Sequence, residues 1–153
     1  VVAVSGKPEA DDYLRELGAS RILRRQEIDF GSKPMERILW AGAIDNVGGE
    51  LLTWLTRTVD LWGNIASIGL AGSADLNTTV MPFILRGVNL LGINSSATLR
   101  ETRLVVWNRI GTDLRPSKLD RICTKVVPFA ELPAQFDDYL KGRVTGRTVV
   151  KIS

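Results

Sequence analysis

The sequence contains no histidine and one cysteine, Cys123, among its 153 residues. Those two scarcities put the usual zinc ligand sets out of reach and exclude an internal disulfide. Carboxylate dyads suited to acid–base work are missing as well, so the chain offers no catalytic and no metal-binding residue. Its chemistry has to come from a bound cofactor or from residues outside it. No apolar run approaches the roughly eighteen residues of a membrane span, and no charged segment precedes an apolar h-region. The expectation is a cytoplasmic protein with no membrane partner. An excess of one charge is lacking too: 20 basic against 17 acidic residues give a net +3. The basic residues are scattered, which argues against a nucleic-acid partner. What remains is an ordinary globular composition, 44% hydrophobic and 24% charged, of one domain's length.

The most informative stretch comes first. Val1-Val2-Ala3-Val4 is apolar without alternation, the pattern of a strand buried on both faces of a parallel sheet. It stops at Ser5-Gly6-Lys7, and Pro8 opens a helix. Open α/β sheets receive ligands outside the carboxyl ends of their strands. In dinucleotide folds an Asp or Glu closing the second strand takes the ribose 2′-hydroxyl, whereas a cation with small neighbours accommodates a 2′-phosphate. Ser5, Gly6 and Lys7 stand there with no carboxylate before Glu9, which favours NADPH over NADH. A plain strand-turn-helix joint is the alternative reading of the same residues.

Further along, Pro8–Leu17 has acids in its first turn, apolar Ala10, Tyr13, Leu14 and Leu17 at helical spacing, and Gly18 as a stop. Ala19–Leu23 reads as the next strand, followed by Arg24 and Arg25. Parallel neighbours end on one edge, so Arg25 either closes on the same phosphate as Lys7 or is simply solvated. Residues 26–34 read as loop, with a helical turn around Met35–Leu39. Strand Trp40–Asp45 ends in the turn Asn46-Val47-Gly48-Gly49, and helix Glu50–Val59 follows. Asp45 caps the next segment or faces the ligand. Strand Asn64–Ile68 leads into Gly69–Gly72, a short helix ends at Gly87, and strand Val88–Ile93 closes at Asn94-Ser95-Ser96. Helix Leu99–Ile110, strand Cys123–Phe129 with a buried inert thiol, helix Pro133–Lys141 and a terminal strand complete the array. The alternation predicts an α/β fold, a doubly wound parallel sheet flanked by helices.

A dinucleotide unit also needs a first strand and a Gly-rich turn, on whose N–H groups the pyrophosphate rests. Gly48-Gly49 and Gly69–Gly72 lack the GxGxxG spacing. Either the fold is not a dinucleotide fold or the sequence starts just before its second strand. A start inside a buried strand favours the second.

Asp12–Arg21, Trp40–Asp45, Gly69–Gly72, Thr78–Arg86 and Gly146–Lys151 carry a more specific signal. On those strings the chain resembles the cofactor-binding portion of the medium-chain dehydrogenases/reductases, in the zinc-free quinone oxidoreductase group and its acrylyl-CoA reductase branch. The resemblance covers nearly all 153 residues. It implies a truncated Rossmann-like NADP(H)-binding domain lacking the first strand and Gly-rich turn, joined to the family's C-terminal segment, with the N-terminal catalytic domain absent. It implies NADPH as hydride donor, an enone, quinone or acyl-CoA as substrate, and a homodimer. By position Ser5, Gly6, Lys7 and Arg25 match residues at the 2′-phosphate end, Leu70, Ile84 and Ser95 match residues toward the nicotinamide, and Arg147 matches a C-terminal cation that returns to the cofactor. The rival readings are a non-catalytic nucleotide-binding or dimerisation module and a methyltransferase-like domain. Two cations where an acid would hold an adenosine ribose discourage the latter.

Overall fold

The computed structural model describes residues 1–152. In chain order the strands are β1 (Val2–Ser5), β2 (Arg21–Arg24), β3 (Trp40–Asp45), β4 (Val59–Ser67), β5 (Asn89–Gly92), β6 (Cys123–Pro128) and β7 (Arg147–Lys151). The helices are α1 (Asp11–Glu16), α2 (Gly49–Thr58), α3 (Met81–Arg86), α4 (Arg100–Gly111), α5 (Leu119–Ile122) and α6 (Phe136–Leu140). Every strand pair among the described residues is parallel, as the β-α-β alternation requires. The α/β fold with parallel sheets expected from the sequence is formed. Pairing gives three separate groups, β1-β2, β3-β4-β5 and β6-β7. No helix is long and apolar enough to cross a membrane among the described residues.

The chain divides into two compact units, residues Val1–Ile28 with those from Glu101 onward, and Asp29–Arg100. In the first, β1 and β2 pair from Val2↔Arg21 to Ser5↔Arg24, so both carboxyl ends reach one rim. β1 is less enclosed than a run of four apolar residues predicts: Val4 is exposed and Val2 and Ala3 are only half-buried, because β2 is its one paired neighbour. The helix expected over residues 8–17 is a 3₁₀ turn at Pro8–Ala10 followed by α1. A short α5, not foreseen, precedes β6, and Cys123 is half-buried rather than buried. None of the residues of α4 is buried, although Leu104, Val105 and Trp107 are apolar.

The second unit holds the larger apolar core. Leu51, Leu52, Trp54 and Leu55 of α2 pack with Val59 and Ile65 of β4 and with Val88. Phe30 and Trp40 meet the Trp54 ring edge-on, with centroids 6.0 and 5.7 Å away. No helical turn forms at residues 35–39. That segment instead donates Glu36 N–H to Arg57 O and Leu39 N–H to Thr58 O, at the C-terminal end of α2. The break read at Trp62-Gly63 is a bulge inside a longer β4, since the register jumps from Trp40↔Val59 to Gly42↔Asn64. Trp62 sits there at φ 61°, over Gly87.

Candidate functional site

The carboxyl rim of the first unit gathers four of the residues singled out in the sequence. Ser5 ends β1, and its hydroxyl accepts the Lys7 backbone N–H at 3.1 Å, fixing the Ser5-Gly6-Lys7 turn. Arg25 opens the 3₁₀ turn Arg25–Glu27 directly after β2. One of its terminal nitrogens lies 3.7 Å from where a Cβ on Gly6 would stand. Lys7 and Arg25 therefore follow strand ends on the same edge, as the parallel pairing demands.

Lys7 nevertheless points elsewhere. Its ammonium donates to the Val144 carbonyl at 2.7 Å, tying the turn to the segment that leads into β7. Arg147, at the start of β7 opposite Cys123, stands three residues beyond that contact and is exposed. The adjacent arginines also differ. Arg24 turns inward and forms an ion pair with Asp11 at the head of α1, the two side chains being 24% and 19% exposed. That hydrogen bond, partly opposed by burial, holds the Asp11 carboxyl below the usual carboxylate range and raises Arg24. Arg25 alone extends outward with its donors uncommitted among the described residues.

Two features of this rim were not visible in residue type or spacing. Asp11 and Arg24 lie 13 positions apart and meet only because the β-α-β crossover lays the head of the helix over the end of the next strand. Gln26 carries no chemical signature, yet its side-chain nitrogen stands 3.0 Å from the Cβ position of Gly6.

In the second unit the carboxyl rim is built from two loops running side by side. Asp45, almost wholly buried, accepts the N–H groups of Val47 and Gly48 at 3.2 and 2.9 Å. It serves the turn into α2, the capping alternative of the sequence reading. The loop after β4 then follows that turn, with Ile68 N–H donating to Asp45 O, Ala71 N–H to Asn46 O, and Gly72 N–H to Val47 O. Glycine is needed where they touch: a Cβ on Gly48, at φ 71°, would fall 2.1 Å from Ser73 O. These glycines thus serve loop packing, which explains their presence without GxGxxG spacing. Leu70, three residues past β4, and Ser95, three past β5, stand beyond strand ends paired at Ser67↔Gly92. Ile84 lies on α3 between those strands in sequence, and it and Leu70 are mostly exposed.

The same unit has a cleft of about 680 Å³ lined by Phe30, Glu50, Thr53, Arg57, Ser73 and Asp75 among others. It contains none of the eight residues named from the sequence. Its two acids, Glu50 and Asp75, outnumber Arg57, whose terminal nitrogens donate to Lys33 O and Phe30 O, so it suits a phosphate poorly and size alone does not make it the cofactor site. Among the described residues no group of His, Cys, Asp and Glu is placed to hold a metal ion.

No protein-family model matches the chain. Acrylyl-CoA reductase AcuI of Ruegeria pomeroyi is 44% identical over an aligned stretch of 154 positions, which covers 100% of this chain and 46% of that relative. The yhdH oxidoreductase of Salmonella enterica, solved in complex with NADP, superposes with a TM-score of 0.92 at 43% identity, over 100% of this chain and 47% of that one. Bacillus subtilis protein yhfP, solved with NAD bound, gives a TM-score of 0.94 at 41% identity, over 99% of this chain and 46% of that one. The chain spans about half the length of the relatives it matches. Its fold is the Rossmann-like α/β arrangement of these proteins.

Proposed function

From a chain homologous along its whole length to part of the AcuI- and YhdH-type oxidoreductases, we propose that it is the NADP(H)-binding portion of a reductase. The reductase reduces the C=C bond of acrylyl-CoA or a related enone or quinone. The observation that carries the reading is the rim where Arg25 closes over Gly6 at the shared end of β1 and β2. A 2′-phosphate there meets the fork of Arg25 donors, and no side chain on Gly6 obstructs its approach. Leu70, Ile84, Ser95 and Arg147 are proposed to line the cofactor farther from that phosphate. Lys7 contributes field and, through Val144, the position of the segment before Arg147.

The first strand, the Gly-rich turn and the catalytic half belong to the parent polypeptide in this proposal. The cofactor supplies the hydride. The residues of this chain hold its phosphate end and orient it, so that binding rather than proton transfer is their task. We place the parent in the cytoplasm, where a free thiol such as Cys123 stays reduced.

Two measurements test the reading. NADPH should bind the chain more tightly than NADH by about tenfold or more, the worth of one charge-assisted contact. The chain alone should turn over acrylyl-CoA with NADPH negligibly. Equal affinities, or full turnover, would refute it. β5 is the outer strand of its sheet, with Leu91 on it and Ile93 just beyond it 45% exposed each. That edge favours a homodimer through β5, and a monomer by light scattering at assay concentration would remove this part of the proposal.

A further inference from the structure

Gly6 does not occupy the left-handed region of backbone space, so its conformation does not demand glycine. Space demands it. A Cβ there would stand 3.0 Å from the Gln26 side-chain nitrogen, tighter than ordinary van der Waals contact, and 3.7 Å from the Arg25 guanidinium. Two side chains bearing N–H donors therefore converge on one bare backbone position at the mouth of the strand pair. The Gln26 amide is exposed and makes no hydrogen bond among the described residues.

The cations around this point differ in what their donors are free to do. Arg24 is neutralised by Asp11 and feels Glu9 and Glu27 as well, and the Lys7 ammonium is engaged by Val144 O. Lys7 and Arg25 keep their charge, but the side-chain donors directed over Gly6 are those of Arg25 and Gln26. We infer that Gln26 is a second specificity-determining residue of this rim, donating its side-chain N–H to the 2′-phosphate beside Arg25. This rests on the reading of the rim as a 2′-phosphate socket. A neutral amide suits the place: it can donate to a phosphate oxygen and carries no negative charge to repel it. A carboxylate at the same point would repel the phosphate and accept the 2′-hydroxyl of NADH instead.

The test is fluorescence titration of NADPH and NADH into the wild-type chain, Gln26→Ala and Gln26→Glu, with circular dichroism to establish that each is folded. Gln26→Ala is expected to weaken NADPH about tenfold and leave NADH unchanged. Gln26→Glu should weaken NADPH further and leave NADH equal or tighter, inverting or erasing the preference. If the wild type prefers NADPH but neither substitution changes the ratio, or both cofactors weaken together in Gln26→Ala, Gln26 is not a selector and the inference is overturned while the socket stands. If the wild type itself shows no preference, the socket reading fails and takes the inference with it.

Discussion

At the scale of single residues, neighbours of the same type have separate tasks. Arg24 and Arg25 are adjacent in sequence, yet one is spent on Asp11 and the other faces outward over Gly6. The ion pair sets a pH dependence. Asp11 has its folded pKa below the ordinary value of about 3.9, so its contribution to stability is complete above that value and is lost as pH falls through the lowered one. Asp11→Asn should therefore be less stable than wild type near neutral pH, with the gap closing in acid, followed by urea unfolding across a pH series. A gap that persists undiminished below the lowered carboxylate range would contradict this assignment. The sequence showed that cations end β2 but not which arginine is free. That depends on a contact made only once the crossover is folded.

At the scale of elements, β3 and α2 were placed to within a residue, because the turn Asn46-Val47-Gly48-Gly49 separates a run of small and apolar residues from the apolar Leu51, Leu52, Trp54 and Leu55, all of them buried. Periodicity failed where no single stripe exists. α4 presents no single apolar stripe and none of its residues is buried, and the bulge at Asp60–Gly63 interrupts a strand the pattern had begun only at Asn64. The Phe30 and Trp40 contacts make Trp54 the centre of the second unit's core. Trp54→Ala should cost about 3–5 kcal/mol in thermal or urea unfolding, the range for a large aromatic deleted from a core. A loss below about 1 kcal/mol, within the reach of a surface change, would show that α2 is not anchored there.

At the scale of the whole molecule, alternation of strands and helices was enough to give an α/β fold with parallel pairing, and the pairing obeys it throughout. Division into three sheets was not legible, since periodicity says which segments are strands and not which of them touch. The rim residues Ser5, Gly6, Lys7 and Arg25 were found because strand ends on one edge converge. Gln26 was missed because an exposed glutamine has no spacing signature of its own. The central claim is that the rim over Gly6 grips a 2′-phosphate through Arg25. It is tested most directly by measuring NADPH and NADH affinities side by side for the wild-type chain and Arg25→Ala. A preference for NADPH that falls about tenfold or more in Arg25→Ala, with NADH affinity unchanged, is the predicted result. The same preference in both proteins would contradict the account.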